Sequence, residues 1–316
     1  MKLLSMSGFV PEHICDTVRF THYSGNRNIS HYCGYISDFI SQVMDDSSID
    51  GAVFPHTCDS SRIIKSYMSE SGKFMYQLNV PIRNDESAVS FFAESIKDYQ
   101  RHIEQHYGIT ITPTQIAERS EMVNKRNAEI KNAYDGLGSF SFADYIEAIH
   151  HTLRQPLAEQ KFTVESRAEC HAGKKVFLVG SFLSNINIAR KLEAFGLTVV
   201  GDNFPESGRL ASRKPISLTA DNVYHEIAKS ILHNRLSPTQ NNFAMLMAQD
   251  LAEIKRKEAQ AIIFISQKYC EPYDYLYSIY KKMMDEAGIP ILKLTLTNSE
   301  DNQKAELLLE TFADTI

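Results

Sequence analysis

Apolar residues in this chain gather in short runs, and each run gives way to a polar turn and then to helical spacing. Three runs show the pattern: Ala52-Val53-Phe54, Lys175-Val176-Phe177-Leu178-Val179 and Ala261-Ile262-Ile263-Phe264-Ile265. Two further runs follow helices that end on glycine, which suits a helix C-terminal cap. They are Leu197-Thr198-Val199-Val200 after Phe195-Gly196, and Ile289-Pro290-Ile291-Leu292-Lys293-Leu294 after Ala287-Gly288. Short strands of buried type alternating with helices predict parallel α/β units.

Between the first and second strand groups the pattern turns helical, over roughly residues 86–160. Thr114 after Pro113 can start one helix there, and Gly136 and Gly138 punctuate the stretch. The polar segment EQKFTVESRAECHAGKK then reads as a connection between domains. The expected architecture is α/β, two Rossmann-like domains with short parallel sheets flanked by helices. The boundary falls near residue 165: an N-terminal α/β domain with a helical extension over 1–165, and a C-terminal α/β domain over 166–316.

The 316 residues suffice for two domains of ordinary size. A formal net charge of −6 removes the global basic field that draws nucleic acid or anionic membranes. No apolar run reaches the length of a bilayer span. Pro11, Glu12 and His13 follow Met1–Ser5 too closely for a secretory leader, so a cytoplasmic location is expected.

The five cysteines, Cys15, Cys33, Cys58, Cys170 and Cys270, are odd in number and widely spaced, unlike the framework of a small secreted domain. Reduced thiols are expected, as core fillers, nucleophiles or metal ligands. Cys58 in GAVFPHTCDSSR and Cys270 in ISQKYCEPY each lie just past a strand and before an acid. Ligands of open parallel sheets bind outside those strand ends, so the two thiols could face each other across a domain cleft. Cys33 in ISHYCGYISDF is the third candidate. Gly34, Asp59 and Glu271 follow the three, which sets them outside an apolar core pattern. Cys15 could lie on the apolar face of a helix, and Cys170 sits in the polar connection.

Other patterns carry less. His102 and His106 in HIEQH stand one helical turn apart, but the glutamate is misplaced for a zinc peptidase, and a solvated helix face is the preferred reading. GLGSF at 136–140 lacks the third glycine and the preceding strand of a dinucleotide fingerprint, and HAGKKV lacks the first glycine and the hydroxyl residue of a phosphate-binding loop. If ATP is involved, another protein binds it.

The blocks IDGAVFPHTCDSSR, TVVGDNFPESGR and AQAIIFISQKYCEPYDYLYSIYKKMMDEAGIPIL, with FVPEHI near the start, resemble the 2-hydroxyacyl-CoA dehydratase D-component family, which includes benzoyl-CoA reductase subunits. The likeness runs in order from about residue 9 to the C-terminus. It implies a [4Fe-4S] cluster in the interdomain cleft, held by Cys33, Cys58 and Cys270, with one iron left to a non-cysteine ligand. Thiolates suit such ligation.

The chain departs from the family pattern at Gly34 and Tyr35, where Pro-Phe is usual, at Ser37 and Leu308, where arginine is common, and at Phe204, where a cysteine is common. These departures bear on the substrate pocket more than on the cluster. Arg62 and Arg209 could pair with an anionic substrate group or with the cluster, or be surface or helix-start arginines. His56 could bond a sulfide or shuttle a proton, or be a plain turn histidine.

The resemblance further implies one-electron, ketyl-radical chemistry on an acyl-CoA thioester. A separate ATP-dependent iron–sulfur activator supplies the electron, and the active unit pairs this chain with a homologous subunit or a second copy. A reductase of the double-cubane or benzoyl-CoA type, or a non-catalytic partner subunit, are the alternatives.

Overall fold

The computed structural model describes residues 1–20, 29, 32–165, 173–183, 186–216, 222–234, 236–240, 242–297 and 303–316. Cys170 and part of the expected connection lie outside them. The first half runs β1 (Leu3–Met6), β2 (Thr17–Phe20), α1 (Gly34–Asp45), β3 (Gly51–Pro55), α2 (Asp59–Arg62), α3 (Ile64–Tyr67), β4 (Phe74–Leu78), α4 (Glu86–Tyr107), α5 (Pro113–Asp135) and α6 (Phe142–Leu153). The second runs β5 (Lys174–Gly180), α7 (Ile186–Ala194), β6 (Leu197–Asp202), α8 (Gly208–Ala211), α9 (Val223–Leu232), α10 (Phe243–Arg256), β7 (Ala261–Gln267), α11 (Glu271–Ala287), β8 (Ile291–Leu296) and α12 (Gln303–Thr315).

The strands form two four-stranded sheets, ordered β2-β1-β3-β4 and β6-β5-β7-β8, and every recorded pairing is parallel. The expected α/β class with two short parallel sheets is therefore observed. Both sheets have the same order, so each has its switch point between the first and third of its strands in sequence. At the second switch point Gly180 matters: a Cβ there would lie 2.4 Å from the Ile265 carbonyl oxygen. A side chain would push β5 and β7 apart.

The long helical stretch resolves into three helices whose ends follow ordinary rules. Gly108 closes α4 in the left-handed region at φ 63°. The helix expected to start at Thr114 begins earlier, with Thr112 as its cap, Pro113 at its first position and Gln115 closing a capping box. Gly196 and Gly288 take positive φ at the helix ends where glycine caps were expected.

Each half lends a helix to the other. Ile146 and Ile149 of α6 join Val176, Val199 and Ile263 in the core of the second sheet. Ile227 and Ile231 of α9 pack with Phe92 and Ile96 of α4 on the first sheet. No helix among the described residues is long and apolar enough to cross a membrane.

A buried charged hub ties these parts together. Glu12 accepts from Arg19 Nη2 at 2.5 Å and from Arg126 Nη1 at 2.6 Å, and Arg126 also donates to Gln160 and Asn127. Arg213, just after α8, donates to the Gly8 carbonyl. Burial alone would raise the Glu12 carboxyl, but the Arg126 and Arg19 guanidiniums outweigh it and hold the group well below the usual carboxylate range. Burial also pushes neighbouring His13 down to about 3, so its imidazole is neutral.

Candidate functional site

The two switch points face each other, and a cavity of about 120 Å³ lies between them. Its wall is built from the residues that follow four strands: Ser7 and Gly8 after β1, Thr57 and Cys58 after β3, Ser181 after β5, and Cys270 after β7. Cys33 completes the set from the turn before α1. A second, larger chamber of about 780 Å³ is lined by the same three cysteines together with Lys268, Tyr269, Glu271 and Lys293. The three thiols are thus a shared wall between an inner apolar space and an outer one of mixed lining.

Each cysteine is the N-cap of a helix: Cys33 of α1, Cys58 of α2 and Cys270 of α11. The longer helices, α1 and α11, turn the positive ends of their dipoles towards the thiols and so favour anionic sulfur. Local chemistry fixes each cap. The Ser61 hydroxyl accepts from the Thr57 and Cys58 amides at 3.2 and 3.1 Å and donates to the Cys58 carbonyl at 2.8 Å. The Cys270 amide donates to the Gln267 carbonyl across a turn in which Tyr269 takes φ 68°. A bulky residue in the left-handed region is strained, and such strain gathers at functional sites.

The thiols also sense one another. The nearby Cys270 thiol, with the Ile36 and Tyr35 amides, holds Cys33 below the ordinary cysteine value despite burial. The Cys33 sulfur, and then burial, hold Cys270 well above it. Burial raises Cys58, with the Ser61 amide and hydroxyl acting against it.

Three converging thiols, two at the N-termini of long helices, match the chemistry of an iron–sulfur ligand set. Among the described residues no group of three or more His, Cys, Asp or Glu side chains is spaced to grip a single metal ion. Three thiols on one wall supply the donor chemistry that an iron–sulfur cluster takes.

The other candidates separate. Arg209 is buried in the inner wall, with Nε donating to the Asn203 carbonyl at 2.8 Å and Nη2 to the Tyr273 hydroxyl at 2.6 Å. Arg62 lies on the surface in an ion pair with Asp59 at 3.1 Å, and neither cavity includes it. His56 is half-buried and lines neither cavity, although Pro55 and Thr57 beside it line the inner one. Cys15 is buried as expected, but in the bend before β2 rather than on a helix, and burial pushes its thiol up to about 12. Cys33 departs from its expected place outside the core: it is 6% exposed and packs with Ile36, Phe39 and Phe182. His102 is exposed on α4, as the solvated-face reading requires.

Sequence reasoning missed the hub and Glu206. In Pro205-Glu206-Ser207-Gly208 the glutamate reads as part of a polar turn; only tertiary packing buries it.

The family described as 2-hydroxyglutaryl-CoA dehydratase, D-component, matches residues 7–316. The chain is 27% identical over 238 residues to the (R)-phenyllactyl-CoA dehydratase beta subunit of Clostridium sporogenes, covering 73% of this chain and 56% of that protein. It thus spans just over half the length of that relative. It is 22% identical over 317 aligned positions to the (R)-2-hydroxyglutaryl-CoA dehydratase subunit beta of Acidaminococcus fermentans, covering 91% of this chain and 82% of that protein.

Proposed function

The chain belongs to the 2-hydroxyglutaryl-CoA dehydratase D-component family, and from that premise we propose that it is a subunit of a [4Fe-4S]-dependent 2-hydroxyacyl-CoA dehydratase-like enzyme. The observation that carries the reading is the meeting of Cys33, Cys58 and Cys270 in one wall. When bound, the cluster would supply one low-potential electron to an acyl-CoA thioester, delivered to it by a separate ATP-dependent activator. Cys33, Cys58 and Cys270 would hold it, and the N-termini of α1 and α11 would offset its negative charge.

Other residues have defined parts. Asn203 and Tyr273 orient Arg209, whose Nη1 has no partner among the described residues and is a donor for an anionic group in the inner cavity. Met6, Phe9 and Ile36 make the inner side of the thiol wall apolar. A homologous second subunit completes the unit; both relatives are named as beta subunits.

One observation favours a second reading, in which this chain supports a catalytic partner without binding the thioester itself. The inner cavity, at about 120 Å³, is well below the roughly 300 Å³ at which small-molecule sites begin. The outer chamber is large enough, but Asp59, Glu271 and Asp274 face Lys268 and Lys293 there. That balance does not attract the polyanionic coenzyme A.

Anaerobic reconstitution with iron and sulfide tests the site. Wild type should take up about four iron per chain, whereas Cys33→Ser, Cys58→Ser and Cys270→Ser should each lose most of it. Cys15→Ser should keep it. An iron-free wild type, or equal loss in Cys15→Ser, would sink the reading; twice the iron would point to the double-cubane alternative.

A further inference from the structure

Glu206 lies in the loop between β6 and α8, is 1% exposed, and neither carboxyl oxygen has a hydrogen-bonding partner among the described residues. Asp202, four residues earlier, shows that the loop can satisfy an acid when it must. Its carboxylate accepts from the Phe204 amide at 2.8 Å, the Gly208 amide at 2.9 Å and the Ser207 hydroxyl at 2.6 Å. A buried carboxylate without donors is expensive, so an orphan acid in a tightly bonded loop calls for a reason beyond packing.

Its position supplies one. Pro205, Arg209 and Tyr35 all line the inner cavity, which puts Glu206 behind that wall. Cys33, Cys58 and Cys270 line the same cavity, so the carboxyl and the three thiols lie on either side of one wall. The charged and titratable groups that share the surroundings of Glu206 are Asp202 on β6, Arg209 on α8, Tyr35 on α1 and Tyr145 on α6. Burial, reinforced by Asp202 and only partly opposed by its own amide, by Arg209 and by the Leu183 amide, neither amide meeting hydrogen-bond geometry, pushes the Glu206 carboxyl up to about 8.

We propose that Glu206 tunes the thiol site, presenting a neutral carboxylic acid instead of a second buried negative charge behind its wall. The inference rests on the three cysteines holding a redox-active cluster. An electron arriving there meets one fixed anion fewer while Glu206 is neutral, and is opposed further once Glu206 ionises. Glu206 is a positioning residue: it acts on the site through the field and touches no reacting atom.

The test compares reconstituted wild type with Glu206→Gln in anaerobic redox titrations followed by electron paramagnetic resonance from pH 6 to 9. In wild type the midpoint potential should be flat below about pH 8 and fall above it. At fixed potential the reduced-to-oxidised ratio should drop by up to about tenfold for each further step of one in pH. Glu206→Gln should stay flat throughout, with wild-type iron content; parallel curves would overturn the tuning role while leaving the cluster intact.

Wild type that takes no iron would overturn the site reading, and the tuning with it. A measurement that needs neither the variant nor the metal is the infrared carbonyl band of a protonated carboxylic acid in cluster-free wild type. It should be present at pH 7 and fade as pH rises past about 8, and its absence at pH 7 would overturn the proposal by itself.

Discussion

The molecule buries two glutamates almost completely and treats them in opposite ways. In the hub, Glu12 receives two guanidiniums and stays ionised. Behind the cysteine cavity, Glu206 receives no hydrogen bond among the described residues, and burial pushes its carboxyl up to about 8. Depth does not separate them, at 0% and 1% exposure; their partners do. The hub spends its charges joining β2, α5 and the N-terminal loop, whereas the loop behind the cavity wall leaves its acid unsatisfied.

The largest effect should come from removing the hub's charge. Glu12→Gln leaves Arg19 and Arg126 buried without a counter-charge, a loss of roughly 3–5 kcal/mol by the usual cost of breaking a buried pair. Urea midpoints at pH 7 measure it. Because the folded-state carboxyl lies below its ordinary 4.5, its contribution is present above 4.5 and is lost as pH falls below that value. The gap between wild type and Glu12→Gln should therefore be full at pH 7 and shrink on acidification. A gap that stays constant to pH 3 would mean that Glu12 is not the ionised centre of the hub.

Glu206 should give the opposite sign. Its folded-state carboxyl, at about 8, stands above the ordinary 4.5, so its contribution is fully present below 4.5 and is lost as pH rises through about 8. The loss is on the order of 4–5 kcal/mol, because each step of one in pH between those two values removes about 1.4 kcal/mol. Relative to wild type, Glu206→Gln should gain stability between pH 5 and pH 8.5, read as the change in urea midpoint. If both variants track wild type with the same pH trend, the contrast between the two acids fails.

Much of the frame was legible because its signals are local. The runs that became β3, β5, β6 and β7 are buried nearly throughout, so their apolar composition announces them. β8 appears two residues later than the run at Ile289 suggests. β1, β2 and β4 left weaker marks for physical reasons. β1 has four residues and includes buried Ser5; β2 carries Arg19, an apolar pattern's worst interruption, tolerated because Glu12 meets it; β4 alternates buried and half-buried positions.

At the site, strand-end placement and family resemblance pointed to Cys58 and Cys270, and the fold brings both to facing switch points. The strained turn at Tyr269 and the orphan carboxyl of Glu206 depend on contacts far away in sequence. No spacing rule reaches them.

The smallest effect should come from Arg62, and it probes whether proximity in sequence to a candidate ligand confers a role. Arg62 stands one helical turn after Cys58, yet its side chain is 59% exposed and its partner Asp59 is 79% exposed. A pair so solvated is worth about 0–1 kcal/mol, and much of its attraction is screened by salt. Arg62→Ala should therefore shift the urea midpoint by less than either glutamate variant and leave the iron content of the reconstituted protein at wild-type level. Ser61, one residue earlier, holds the Cys58 turn through its hydroxyl, and that bond survives the substitution because no atom of Arg62 takes part in it. Loss of iron in Arg62→Ala would show that the charge on the surface side of Cys58 matters to the site, and the division between a sealed hub and a self-sufficient cavity would have to include the outer rim.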